Sequence, residues 1–303
     1  MKPLISIVVV VLNAGEKLFL TLSSIQSQTF TDYEVVIKDG GSKDRAVDLL
    51  EHIVAGDFVP EKMGSMHEDI MKVAYTFQKN ANKEFLSRLN IIKKPDKSIY
   101  EGMNQALENV MGKYVCFMNC GDFFFAEDSL STFLKEAGKS IDIEKAEKTV
   151  LYADVYDAQR NVKISATPEI TGFSCYRNIP CHQACLYSTD LFKKEAYNPR
   201  YKIRADYEHF LRCFYEYKAA FIRIPIILAV YEGGGFSESK ENISRDKAEH
   251  KEITAKYMPL YERTAYKAVM IATLQPVRKF LAENPKFSGF YQSIKDFWYS
   301  KEQ

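Results

Sequence analysis

Ile5-Ser6-Ile7-Val8-Val9-Val10-Val11 decides how the rest of the chain is read. Six of these seven residues are β-branched, which suits a strand buried on both faces of a parallel sheet. The run is short and stops at Asn13-Ala14-Gly15-Glu16 with no small-residue cleavage site, so it reads as a strand and not as a targeting signal. Lys17 to Gln28 follows with Leu18, Leu22 and Ile25 at helical spacing. Tyr33-Glu34-Val35-Val36-Ile37 is a second strand, stopped at Asp39-Gly40-Gly41-Ser42-Lys43-Asp44. Arg45 to Val54 then carries Val47, Leu50 and Val54 on one helical face. Strand, helix, strand, helix is the rhythm of a right-handed parallel α/β unit.

Outward from this unit, Gly56 to Arg88 is polar and reads as an inserted helical stretch or a long loop. Asn90-Ile91-Ile92-Lys93 is a short strand, and Ile99 to Val110 a helix that Gly112 closes as a C-cap. Tyr114-Val115-Cys116-Phe117-Met118 is a third buried strand running into Asn119-Cys120-Gly121-Asp122. Later strands are expected at Thr149–Ala153 and Ala220–Ile224, and a helix over Asp206–Phe214. From Ser239 the pattern is helical and charged, interrupted at Pro259, Pro276 and Pro285, which predicts several short helices.

The composition bounds the function. A chain of 303 residues with 46% hydrophobic and 27% charged residues can bury a large core. Lys and Arg number 41 against 40 Asp and Glu, so no bulk charge argues for nucleic acid, and an anionic ligand must meet a local site. Six cysteines set mostly in apolar sequence read as buried thiols in a reducing compartment. No stretch approaches the roughly 18 apolar residues of a membrane span. A cytoplasmic protein is the expectation.

In an open α/β sheet, ligands bind beyond the carboxyl ends of the strands. Here three strands end in polar or acidic residues, at Asn13, at Asp39, and at Asn119 with Asp122, and these ends should converge on one crevice. Each Asp could instead cap only the turn or helix that follows it. No G-x-G-x-x-G follows the first strand and no Gly-Lys-Ser/Thr motif is present, which removes the main support for dinucleotide dehydrogenases and P-loop kinases.

The same residues resemble a family. Ile5 to Val9 through Asn13, followed by Asp39-Gly40-Gly41-Ser42-Lys43-Asp44, is similar to the opening of family 2 glycosyltransferases with a GT-A fold, whose second motif usually reads Asp-Asp-Gly-Ser-x-Asp. Lys94-Pro95-Asp96-Lys97-Ser98-Ile99-Tyr100-Glu101-Gly102-Met103-Asn104 resembles the Glu-Pro-Asp-x-Gly-Ile-Tyr-Asp-Ala-Met-Asn segment of a bacterial branch that builds capsules, colanic acid and O-antigens. Met118-Asn119-Cys120-Gly121-Asp122 looks like that branch's metal motif, Pro180-Cys181-His182-Gln183 like its His-Gln element, and Arg204-Ala205-Asp206-Tyr207 like the Ala-Asp-Tyr form of the family's Glu-Asp motif. Gly233-Gly234-Gly235-Phe236-Ser237 resembles its late Gly-Gly-x-Ser. The resemblance runs in order from about residue 4 to 237.

The resemblance implies a GT-A (nucleotide-diphospho-sugar transferase) fold over residues 1–237: a Rossmann-like mixed, mostly parallel sheet flanked by helices, with a helical C-terminal extension over 238–303. It implies inverting transfer of a sugar from a nucleotide-sugar donor to a glycan or lipid-linked acceptor in cell-surface polysaccharide synthesis. A diphosphate leaving group gathers negative charge that Mn²⁺ or Mg²⁺ can neutralise, and such hard ions take carboxylate, phosphate and water oxygens. On this reading Asp122 holds the metal. Val9, Asn13, Asp39, Asp96, Asn104 and Asn119 line the donor pocket, His182 and Gln183 lie on the acceptor side, and Asp206 is the base that deprotonates the acceptor hydroxyl. The chain departs from the pattern at Asn119 and Gly121, where relatives carry acids, and at Gly40, Ser98 and Glu101.

Other readings compete. Cys181-His182-x-x-Cys185, with Cys175 nearby, offers zinc ligand types at short spacing. The thinned acids around Asn119 also fit a non-catalytic nucleotide-sugar-binding or scaffold protein on a retired transferase fold. In the tail, Lys256, Arg263, Lys267, Arg278 and Lys279 are interleaved with Tyr257, Tyr261, Tyr266, Val269, Met270 and Leu274. That tail reads either as a peripheral contact with the cytoplasmic face of a membrane or as a helical appendage packed on the core or on a second subunit of a homodimer.

Overall fold

The computed structural model describes residues 2–60, 68–233 and 242–273, together with 284, 287, 293 and 294. The opening unit forms as the apolar pattern requires: β1 (Ile5–Val11), α1 (Lys17–Gln26), β2 (Tyr33–Asp39) and α2 (Ala46–Ala55). The polar segment after it is helical, with α3 (Glu68–Asn80) burying Ile70, Ala74 and Phe77, and α4 (Lys83–Leu86) burying Phe85. Next come β3 (Leu89–Lys93), α5 (Ile99–Leu107), β4 (Tyr114–Phe117), β5 (Phe123–Phe124) and α6 (Ser129–Ala137). The second half contains β6 (Thr149–Asp157), β7 (Val162–Ile164), α7 (Gly172–Arg177), β8 (Cys185–Ser188), α8 (Asp190–Lys193), α9 (Ala205–Tyr215), β9 (Ala220–Tyr231), α10 (Ile243–Tyr257) and α11 (Leu260–Ala272).

Among the described residues the strands join one sheet in the order β3-β2-β1-β4-β8-β6-β9-β5, with β7 paired to β6. The first four of these, β3 to β4, pair in parallel. Beyond them the sheet is mixed: β8 runs antiparallel to both β4 and β6, while β9 runs parallel to β6. Strand order reverses at β1, which lies between β2 and β4, so a crevice opens at the carboxyl ends of these strands. One apolar layer packs β1, β2 and β4 against α1, α2, α3 and α6; the other packs the opposite face against α5 and α9.

Gly112 has a different role from the expected C-cap. Helix α5 ends at Leu107, and Gly112 instead passes against β1, where an added Cβ would lie 2.5 Å from the Ser6 nitrogen. Its N–H donates to Ser6 Oγ at 2.8 Å and to the buried Glu34 carboxylate at 3.2 Å. Only a residue without a side chain fits there. The break between α10 and α11 falls at Pro259 as its ring dictates. The Gly234-Gly235-Phe236-Ser237 motif, the proposed 237/238 boundary, and Leu274, Pro276, Arg278, Lys279 and Pro285 lie outside the described residues. Among the described residues no helix is long and apolar enough to cross a membrane.

Candidate functional site

The ends of β1 and β2 are laced together by polar side chains. Asn13, with a left-handed φ of 49°, accepts from the Lys43 N–H at 2.8 Å, and its own N–H donates to Ser42 Oγ at 2.9 Å. The buried Asp39 carboxylate accepts from the Ser42 N–H at 3.0 Å and from Ser42 Oγ at 2.6 Å, fixing the turn at its own strand end. Asp96 lies beside this turn. It is paired at 2.8 Å with the ammonium of Lys38, whose side chain is 0% exposed and also donates to the Asp39 carbonyl at 2.9 Å. Gly40 and Gly102 box that carboxylate in: added Cβ atoms would stand 2.7 and 3.0 Å from Asp96 Oδ2. Gly40, where the family pattern has a second Asp, is therefore required by the position of Asp96. Ser98 and Glu101, two further departures, cap the start of α5, Ser98 Oγ accepting from the Glu101 N–H at 3.3 Å and Glu101 Oε2 from the Lys97 N–H at 3.0 Å.

Two residues that the resemblance assigns to the donor pocket have their side chains in other contacts. Val9 is fully buried in the apolar layer. Asn104 is committed to the Tyr197 backbone: its amide nitrogen donates to the Tyr197 carbonyl at 2.8 Å, and its oxygen accepts from the Tyr197 N–H at 2.9 Å.

The end of β4 and the start of α9 meet across a short 3-10 turn, His182–Ala184, whose first two residues reach in opposite directions. Gln183 Nε2 donates to Asp122 Oδ2 at 2.6 Å, and His182 Nδ1 lies 3.4 Å from Asp206 Oδ2. On its other edge, His182 Nε2 lies 3.1 Å from the Asn119 amide nitrogen. A carboxylate only accepts, so Nδ1 carries a hydrogen towards Asp206, while Asn119 braces the other edge of the ring.

Asp206 opens α9 and is 22% exposed. Its Oδ1 accepts from the Tyr100 hydroxyl and from the Tyr207 N–H, both at 2.8 Å. Burial acts to raise this carboxyl, but the His182 and Tyr100 hydrogen bonds, the His182 charge and the Tyr207 N–H outweigh it and hold it below its ordinary value. Asp206 is therefore ionised at neutral pH. Asn119, His182, Gln183, Tyr100 and Asp206 line one cleft of about 400 Å³, which Arg160 and Lys202 also border. Asn13, Asp39, Asp96 and Asp122, expected in the same crevice, are not among its lining residues. The first three form a second group at the β1–β2 end, joined to the cleft through the run from Asp96 to Tyr100, and Asp122 is buried behind Gln183.

Asp122 is buried, its Oδ1 accepting from the Glu232 N–H at 3.0 Å. Burial raises its carboxyl, the Glu232 charge adds to this, and the Glu232 N–H and Gln183 oppose it. Hard divalent ions commonly take one or two carboxylates and complete their shell with phosphate oxygens and water. Asp122 fits that role: each oxygen accepts one hydrogen bond and keeps a lone pair, and a cation would relieve the crowding with Glu232. Among the described residues no group of three or more His, Cys, Asp or Glu side chains could hold a metal ion by itself. The zinc alternative lacks its thiolates. Cys181 donates to Gln183 Oε1 at 2.6 Å and Cys185 to the Cys181 carbonyl at 3.3 Å, and burial pushes the Cys181 thiol up to about 12.

Sequence reasoning missed Lys38, Tyr100 and Glu232. Lys38 carried a signal, the one cation in a buried strand, which must find a partner. Tyr100 stands in the matched Ile-Tyr segment but was given no role there, and nothing in the sequence marks Glu232.

A mixed, mostly parallel sheet flanked by helices, with a crevice at a strand-order switch and two carboxylates bridged by one turn, is the architecture expected of a GT-A fold. Comparison with known proteins agrees. Residues 6–61 match the family model Glycosyl transferase family 2. A PGL/p-HBAD biosynthesis glycosyltransferase of Mycobacterium bovis is 28% identical over 239 residues, covering 78% of this chain and 80% of the relative, and a Mycobacterium tuberculosis protein of the same description matches equally. Among solved structures, S. aureus TarS 1-349 in complex with UDP aligns over 94% of this chain and 74% of its own, with a TM-score of 0.59 at 16% identity. The mannosyltransferase PcManGT of Pyrobaculum calidifontis, in complex with GDP-Man and Mn²⁺, aligns over 98% of this chain and 88% of its own, with a TM-score of 0.52 at 13% identity. The chain thus has the GT-A fold and is similar to family 2 glycosyltransferases, the family model matching its opening βαβα segment.

Proposed function

We propose that this chain transfers a sugar, with inversion, from a nucleoside-diphosphate donor to a glycan or lipid-linked acceptor in cell-surface glycan synthesis. The observation that carries the reading is the His182-Gln183 clasp, which sets the ionised Asp206 and the buried Asp122 on two sides of one turn. Similarity to mycobacterial biosynthesis glycosyltransferases, and to structures that hold UDP, UDP-GlcNAc or GDP-Man, supports donor and pathway class.

In this mechanism Asn13, Asp39, Asp96 and Asn119 border the donor, and the Lys38–Asp96 pair keeps the β2 turn in shape. The acceptor enters the cleft beside His182, Gln183 and Lys202. Asp206 takes the proton of the attacking hydroxyl, while Tyr100 and the Tyr207 N–H hold its other oxygen in place. A positioned base contributes about 10² to 10⁴-fold. Direct attack from the face opposite the leaving diphosphate inverts the anomeric carbon and needs no protein nucleophile. Asp122 would hold Mn²⁺ or Mg²⁺, which supplies positive charge to the departing diphosphate. Residues 1–237 form the transferase domain, and the helices after it an extension.

The test is titration calorimetry with UDP-GlcNAc and GDP-mannose, with and without Mn²⁺, followed by proton NMR of the product. Metal-strengthened donor binding and an inverted anomeric centre are expected. Retention of configuration would refute the base role of Asp206.

A further inference from the structure

The family resemblance stops near residue 237, yet a side chain beyond it controls the backbone next to Asp206. Glu249, on α10, is 8% exposed, and its carboxylate accepts three successive backbone N–H groups: Lys202 at 2.9 Å, Ile203 at 3.0 Å and Arg204 at 2.9 Å. One helical turn earlier, Asp246 takes the Arg204 guanidinium with both oxygens, at 2.7 and 2.9 Å. Loop amides are usually satisfied by water or by their own turn; here another element supplies a charged acceptor for all three, and charge-assisted bonds are the strong ones. The Lys202–Arg204 segment leads directly into Ala205 and Asp206 at the start of α9. Its middle carbonyl, that of Ile203, lies 2.6 Å from the Tyr100 hydroxyl, the same hydroxyl that meets Asp206 Oδ1 at 2.8 Å. Glu249 thus fixes both the entry of α9 and one of the two side chains that hold Asp206.

We propose that Glu249 is a positioning residue for the transfer step: through the Lys202–Arg204 backbone it sets where Asp206 and Tyr100 stand, which makes α10 part of the catalytic apparatus. This rests on the reading of Asp206 as the base. Loss of the carboxylate leaves three amides without their acceptor and frees the loop, and displacement of a catalytic group by about an ångström costs up to about 10²-fold in rate. The donor-binding side chains at the β1–β2 end make none of these contacts, so donor affinity stays as it is.

The experiment compares the full-length parent with Glu249→Ala, Glu249→Gln and a control, Lys256→Met. Lys256 pairs at 2.7 Å with the buried Glu208 of α9, so it stabilises the same helix packing without touching the loop. Melting temperature, Kd for UDP-GlcNAc and GDP-mannose, and kcat for release of the nucleoside diphosphate are measured on each. Expected are a kcat loss of about 10- to 100-fold for Glu249→Ala with donor Kd unchanged, and an intermediate loss for Glu249→Gln, whose amide oxygen can still serve Ile203 and Arg204. The control keeps its kcat at a comparable loss of melting temperature. Glu249 variants whose kcat merely follows the control at equal melting temperature overturn the proposal while leaving the transferase reading intact. A parent that binds and turns over neither donor, nor any other nucleotide sugar, overturns both.

Discussion

Removing the Asp96 carboxylate probes how the β1–β2 end of the crevice is held. The Lys38 ammonium has no exposure to water and, among the described residues, is recorded with two partners: Asp96 Oδ2 at 2.8 Å and the Asp39 carbonyl at 2.9 Å. Asp96→Ala leaves a buried cation with one neutral acceptor, and breaking such a pair from one side costs about 3 to 5 kcal/mol. Lys38→Met leaves the carboxylate, 7% exposed, without its cation, and strips the Asp39 carbonyl of a donor worth about 1 kcal/mol. The double variant Lys38→Met/Asp96→Ala removes both charges of the pair, so it should be more stable than the two single variants predict by addition. Urea unfolding monitored by far-UV circular dichroism reads all four proteins. A loss below about 1 kcal/mol for Asp96→Ala, the level of a solvent-exposed pair, would refute the argument, as would simple additivity in the double variant.

Three further outcomes follow from the same geometry. Gly40→Ala should destabilise the fold by about 1 to 3 kcal/mol through overpacking, because the new Cβ stands 2.7 Å from an Asp96 oxygen that Lys38 holds in place; differential scanning calorimetry would show it. Asp122→Ala should abolish the gain in donor affinity on adding Mn²⁺, and an unchanged metal response in calorimetry would remove Asp122 from that role. His209 is fully buried and stacked on Phe192 at 4.2 Å, and burial followed by the Arg212 charge lowers its pKa to about 3. Its folded value is below its unfolded one, so the stabilisation is complete above the unfolded value near 6.5. It is lost as pH falls towards about 3, at about 1.4 kcal/mol per pH unit. His209→Phe should flatten the pH dependence of unfolding free energy by about that slope between pH 6 and 4.

The parallel half of the fold was legible because its signals are local. An apolar run, a polar strand end and a following helical period mark β1, β2 and β4, and burial on both faces leaves such strands few alternatives; β3, at the sheet edge, is only partly buried. The second half was less legible. Strand β8 is four residues, Cys185–Ser188, and its cysteine and tyrosine suggest ligand chemistry more readily than pairing with β4 and β6. Helices α7 and α8 are six and four residues long, too short to show a period. Gly112 misled because a glycine after a helical pattern suggests a C-cap, whereas the demand came from β1, more than a hundred residues earlier. At the site, motif context singled out residues such as Asp206 and His182, while contacts made only by the tertiary fold, such as Glu232 to Asp122, leave no mark in the sequence. A motif position can also brace the fold, as Asn104 does by bonding the Tyr197 backbone. Glu249 carries no motif at all.

One comparison tests the account most directly: donor affinity and turnover of Asp206→Asn beside the parent. The substitution keeps the volume and the Tyr100 contact but removes the negative charge that accepts a proton. Donor Kd should stay unchanged while turnover falls by about 10² to 10⁴-fold. Turnover within a few fold of the parent, or a loss explained entirely by weaker donor binding, would contradict a base on the acceptor side of the cleft.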